Sequence, residues 1–130
     1  MSRRVLLVDD DESIREIAKL SLERVGGWSV EAAPSGETAL KAAHEDDGFD
    51  AVLLDVMMPD LDGPATLALL RERGLIDPAV PVVFLTAKVQ PGDRERLLAG
   101  GAAGVIAKPF DPMSLPSELD TILRGKANGD

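Results

Sequence analysis

Near the start of the chain, four apolar residues, Val5-Leu6-Leu7-Val8, run straight into four acids, Asp9-Asp10-Asp11-Glu12. Carboxylates this close repel one another, so the arrangement costs free energy unless positive charge offsets it. Single polar residues stand at the ends of other apolar runs: Asp55 after residues 51–54, Thr86 after 82–85 and Lys108 after 104–107. If these groups meet, two or three carboxylates, a hydroxyl and an ammonium form a coherent chemical set. An oxygen-only cluster without His or Cys suits a hard ion, Mg²⁺ or Mn²⁺, rather than zinc. Mg²⁺ takes few carboxylates and completes its shell with water and phosphate oxygens. A carboxylate can also be a nucleophile and form an aspartyl phosphate. The ion and Lys108 would then neutralise the transferred phosphoryl group, and Thr86 could hydrogen-bond one of its oxygens.

Elements must bring those residues together. Short apolar runs at 4–8, 28–33, 51–55, 81–85 and 104–107 read as strands, and the segments between them read as helices. Residues 12–25 place Ile14, Ile17, Ala18, Ser21, Leu22 and Val25 at three- and four-residue spacing, and Gly26-Gly27 then ends the helix. Ser35 caps a second helix carrying Ala39, Leu40 and Ala43. Gly63-Pro64 opens a third through about Arg73, Pro91-Gly92-Asp93 a short fourth, and Asp111-Pro112 a fifth with Leu115, Leu119, Ile122 and Leu123 on one face. This βα alternation predicts a parallel sheet covered on both faces. The continuously apolar runs are its central strands. Residues 28–33 alternate and suit an edge strand, with Trp28 covering it. In such sheets the ligand site lies beyond the carboxyl ends of the strands, and with ~4.8 Å between strands the five polar residues converge on one mouth.

Composition narrows the function classes. The 130 residues predict one domain able to fold alone. With no cysteine, disulfides and thiolate metal sites are excluded. A net charge of −9, without a basic stripe, argues against direct nucleic-acid binding. No apolar run approaches the ~20 residues of a membrane span, and the apolar stretch after the basic N-terminus is too short for a signal peptide. The expectation is a cytoplasmic protein.

Four motifs occur in order at these strand ends: "LLVDDDESIR", "VLLDVMMPDLDG", "VVFLTA" and "AKPF". With them, residues 3–124 resemble the receiver domain of bacterial two-component response regulators, of the stand-alone, chemotaxis-regulator-like kind. The resemblance implies a flavodoxin-like (βα)5 doubly wound α/β sheet of order 2-1-3-4-5, with a receiver domain over 1–124 and a C-terminal tail over 125–130. It makes Asp55 the phosphoacceptor and matches Thr86 and Lys108 to the family's two phosphoryl-sensing catalytic residues. It assigns Mg²⁺, with Mn²⁺ as substitute, to Asp10, Asp55 and the backbone carbonyl of Met57, with Asp9 acting closely or through water. Lys108-Pro109 matches a peptide bond that is typically cis in the family.

The implied function is a signalling switch that catalyses only its own phosphorylation and dephosphorylation. A histidine kinase or histidine phosphotransfer protein donates the phosphoryl group, docking on the first helix around Ile14 and Arg15. The added charge of about −1.5 to −2 shifts the surface of the fourth helix, fifth strand and fifth helix toward a downstream protein target, as a monomer or a phosphorylation-dependent dimer. Two departures stand out. Val105 occupies a position where many members carry an aromatic ring, so the usual inward swing of that ring is unavailable. Met57 and Lys88 occupy the positions on which autodephosphorylation rates depend.

Other residues have plainer readings. Asp11 and Glu12 favour a helix N-terminus, Asp60 and Asp62 are turn residues, the Met57 and Met58 side chains pack, and His44 is solvated. Competing functions are a phosphorylation-independent binding module on the same fold, an aspartyl-type phosphatase and a flavin-binding flavodoxin. Retention of all five site residues argues against the first. Met57 stands where haloacid-dehalogenase-type phosphatases place a second Asp, and the four acids would repel a flavin phosphate. Because only a short tail follows residue 124, the chain either acts alone through protein contacts or is cut from something larger.

Overall fold

The computed structural model describes residues 3–46, 48–87 and 90–127. Five parallel strands, β1 (Arg4–Val8), β2 (Ser29–Ala33), β3 (Ala51–Asp55), β4 (Val82–Thr86) and β5 (Gly104–Ala107), form one sheet in the order β2-β1-β3-β4-β5. The helices are α1 (Glu12–Leu20), α2 (Gly36–Glu45), α3 (Gly63–Glu72), α4 (Asp93–Ala99) and α5 (Leu115–Ala127). The flavodoxin-like fold and its strand order are as expected.

Side chains alternate across a strand, and the two faces sort accordingly. Leu6, Val8, Val52, Leu54, Val82 and Phe84 pack with α2, α3 and their connections; Val5, Leu7, Leu53, Val83, Leu85 and Ile106 pack with Trp28, α1 and α5. β3 and β4 are buried along their whole length, as central strands must be, whereas β2 exposes Ser29 and Glu31 at the sheet edge. Trp28 is buried just ahead of β2, as its covering role predicts.

The termini of the helices follow local chemistry. Asp11, Ser35 and Asp62 each accept a hydrogen bond from the backbone N–H three residues on, capping α1, α2 and α3. Asp60 takes a positive φ of 68° in the turn ahead of α3, so both acids are turn residues. Gly63 follows because the chain doubles back over the end of β3, where its N–H donates to the Val56 carbonyl at 2.8 Å. A Cβ there would collide with the Asp55 carbonyl and the Phe84 ring.

Four details differ from the sequence expectation. The first helix does not run uniformly to Val25. Ser21–Val25 form a π turn, with the Gly26 N–H reaching the Ser21 carbonyl at 3.2 Å, and Gly27 ends it at φ 72°. α5 begins at Leu115 rather than Asp111, because Asp111 accepts from the N–H of Met113, Ser114 and Leu115 in a preceding turn. It continues through Ala127, so residues 125–127 of the expected tail are helical, and 128–130 lie outside the described residues, as does Lys88. Thr86 is the last residue of β4 rather than its successor. Among the described residues no helix is long and apolar enough to cross a membrane.

Candidate functional site

Register and alternation deliver the predicted residues to one place. Val8 pairs with Leu54 and Asp55 with Leu85, while Thr86 pairs with Ala107. Asp9, Asp55 and Lys108 therefore stand at neighbouring strand ends. They also share the parity of Leu7, Leu53 and Ile106, so they lean toward the α1 and α5 side of the sheet. Thr86 has the opposite parity, that of Phe84, and lies toward α4. Together with Asp10, Met57, Ala87 and Pro109 they line a cavity of about 470 Å³. All the residues expected at the mouth are there.

Lys108 is the ammonium that meets these carboxylates among the described residues. The Lys108 ammonium is 2.8 Å from Asp9 Oδ2 and 3.0 Å from Asp55 Oδ1. Asp9 is fully buried, and its other carboxylate oxygen accepts from the Asp11 N–H at 2.9 Å. Asp10 is exposed at the rim, while Asp55 and Thr86 are buried. Carboxylate oxygens of Asp9, Asp10 and Asp55 lie within 4.8 Å of one another. Among the described residues, three acids gather around one ammonium, which meets two of them directly.

That crowding of acids appears in the titration of the site. Burial, reinforced by the charge of Asp9, pushes the Asp55 carboxyl up to about 6 despite its bond to Lys108. Burial works to lower the Lys108 ammonium, but hydrogen bonds to Asp9 and Asp55 outweigh it and hold the group above its ordinary value. A buried carboxylate held so high is short of positive charge. The donor set, oxygen-only and open on the Asp10 side, fits a hard divalent ion.

The loops that carry these residues keep their expected chemistry. The Lys108–Pro109 peptide is cis. Met58 is buried as a packing residue, but Met57 is not: its side chain is 63% exposed over the mouth, because the chain turns outward immediately after β3. His44 is exposed on α2, away from the cavity. Ile14 lines the mouth, whereas the guanidinium of Arg15 turns inward and donates to the Asp9 carbonyl at 2.9 Å. Sequence reading saw Arg15 only as a docking residue. Its spacing of four from the cap residue Asp11 is the one signal that could have placed it over the strand end.

Known proteins resemble this chain in sequence and fold. The sequence pattern of the response regulator receiver domain matches residues 5–120. The chain is 40% identical over 124 residues to the alkaline phosphatase synthesis transcriptional regulatory protein PhoP of Bacillus subtilis, covering 95% of this chain and 50% of that one. It is 39% identical over 121 residues to the transcriptional regulatory protein TrcR of Mycobacterium tuberculosis, covering 93% and 45%. It thus spans about half the length of the curated relatives it matches. Among solved structures, the chemotaxis response regulator CheY4 of Vibrio cholerae superposes with a TM-score of 0.85 at 32% identity, over 94% of this chain and 99% of that one. With the sequence pattern, the strand order and these relatives in agreement, the chain belongs to the response regulator receiver domain family, whose members serve two-component signalling as switches rather than enzymes.

Proposed function

We propose that this chain is a phosphorylation-controlled switch that accepts a phosphoryl group on Asp55. One observation carries the reading: the Lys108 ammonium bridges Asp9 and Asp55 at 2.8 and 3.0 Å at the mouth of the sheet, beside the buried hydroxyl of Thr86. Asp9, Asp10, Asp55 and the Met57 carbonyl would hold Mg²⁺, or Mn²⁺ in its place. When bound, the ion supplies the positive charge that the three carboxylates and an incoming phosphoryl group require.

The residues of the chain do the rest. An ionised Asp55 oxygen attacks the phosphorus of a phosphohistidine on a histidine kinase or histidine phosphotransfer protein. The O–P bond forms as the N–P bond breaks, and the imidazole leaves with that electron pair. Lys108 moves its hydrogen bond from Asp55 to a phosphoryl oxygen, and Thr86 donates to another. The face of α1 around Ile14, at the edge of the mouth, receives the donor.

The new charge of about −1.5 to −2 is read out through α4. No residue of α4 is fully buried; Leu97 and Leu98 hold it to the core by partial contact. A shift at Thr86 can therefore move this helix at low cost. Val105 carries no ring to swing, so the change passes through backbone and the side chains of α4. The surface of α4, β5 and α5 then meets a downstream protein or a second copy of the chain. This reading implies a cytoplasmic location.

The experiment is direct. Wild-type protein incubated with Mg²⁺ and labelled acetyl phosphate should incorporate label, and BeF₃⁻ should bind in its place. Asp55→Asn should do neither, and retained labelling in that variant would refute the site.

A further inference from the structure

We propose that Arg15 is a positioning residue for the cation-binding acids, acting through the peptide that joins Asp9 to Asp10. The inference rests on the phosphoacceptor reading above and adds to it a residue outside the cluster of acids.

Three polar atoms of Asp9 are hydrogen-bonded and the fourth, Oδ2, is ion-paired. Its N–H donates to the Ala33 carbonyl at 3.2 Å, fixing it to the end of β2. Its two carboxylate oxygens face the Asp11 N–H at 2.9 Å and the Lys108 ammonium at 2.8 Å. Its carbonyl accepts from Arg15 Nη1 at 2.9 Å. That carbonyl belongs to the same planar peptide as the Asp10 N–H. Holding the plane sets the directions in which both Asp9 and Asp10 leave the strand, and Asp10 alone among the three acids is exposed.

Arg15 is itself well anchored. It lies in the first turn of α1, where its N–H donates to the Asp11 carbonyl at 2.9 Å, and Asp11 caps the same helix through the Ile14 N–H. The residue is half-buried and makes no ion pair among the described residues. A guanidinium used only to grip a partner would be exposed. This one spends its hydrogen bond on the buried backbone beneath the acids, where an unpartnered carbonyl would be costly. Groups that orient metal ligands in this way change affinity by about 10- to 100-fold when removed.

Isothermal titration of the metal-free chain with MgCl₂ tests the proposal without any phosphotransfer. Arg15→Met should weaken Mg²⁺ binding by about tenfold or more and shift the Asp10 and Asp11 amide resonances before metal is added. Arg15→Lys, which keeps a donor, should recover part of the loss. Wild-type affinity and unshifted amides in Arg15→Met would overturn the positioning role, and would leave the phosphoacceptor reading standing if wild type still accepts label on Asp55. No Mg²⁺ binding in wild type would overturn both. Should Arg15→Met fail to fold, NMR of the wild type decides: a slowly rotating Arg15 guanidinium with a through-bond coupling to the Asp9 carbonyl supports the proposal, and a freely rotating one sinks it.

Discussion

The two ends of the sheet treat charge in opposite ways. At the amino ends of the strands, each arginine is matched to acids and stacked on a ring. Arg3 pairs with Asp120 at 2.8 Å and lies 4.1 Å over Trp28. Arg4 pairs with Asp46 and lies 4.7 Å over Phe49, while its N–H donates to Asp50 at 2.8 Å. At the carboxyl ends, among the described residues, Asp9 and Asp55 share Lys108 with Asp10 close beside them. One end gives each arginine a carboxylate partner and so fastens β1 to the rest of the fold. The other is left short of positive charge at a place where the backbone makes it rigid. An uncompensated charge held in a fixed geometry has free energy to give to a ligand; a compensated one has none.

The largest test of this contrast removes the acceptor. Asp55→Asn should abolish phosphoryl incorporation while the fold survives, as followed by labelling and circular dichroism, because an amide relieves the crowding instead of adding to it. Any residual labelling would mean the imbalance serves another acid.

Removing the shared cation should come next. Lys108→Met should slow phosphorylation by acetyl phosphate on the order of 10²-fold, the usual cost of losing a group that stabilises transferred charge. In the absence of metal it should also cost about 3 kcal/mol in denaturant unfolding, because Asp9 is left buried without its partner. Added Mg²⁺ should return part of that stability. If Lys108→Met is as stable as wild type without metal, the acids are not crowded in the way described.

A smaller effect should appear in the pH dependence. Asp55 titrates near 6 in the fold against an ordinary value near 4 when unfolded. The native state therefore holds its proton more tightly than the unfolded state. The contribution is full below about pH 4 and is lost as pH rises through 6, so metal-free stability should fall across that window. Mg²⁺ selects the ionised form, so its affinity should rise over the same range. Stability that increases between pH 4 and 6 in the Asp55-dependent component, measured as wild type minus Asp55→Asn, would contradict the sign.

The smallest change belongs to the end where each arginine is paired. Arg3→Ala should cost about 1 kcal/mol or less in chemical unfolding, as expected for an exposed ion pair with a ring contact, and should leave labelling of Asp55 untouched. A change in phosphorylation there would show the two ends to be coupled.

Much of this protein could be read before folding. Residues 5–8, 51–54 and 82–85 are apolar without interruption, a pattern that suits short strands covered on both faces, so the positions of Asp9, Asp55 and Thr86 at the mouth followed from local sequence. Ser35, Asp62 and Gly63-Pro64 likewise announced their helices, because caps act through the chain's own nearest N–H groups. What stayed hidden depends on partners distant in sequence or on how an end packs. The π turn at Ser21–Val25 keeps the apolar spacing of an ordinary helix and so leaves no trace in it. Met57 looks like core by type, yet its exposure depends on where the loop after β3 turns. Residue types and spacing determined which groups gather at the rim, since alternation and strand length are properties of the chain alone. Tertiary structure alone decided that Lys108 spans two acids, that burial raises the Asp55 carboxyl to about 6, and that Arg15 faces inward, because distance and solvent exclusion exist only once the strands and helices have packed.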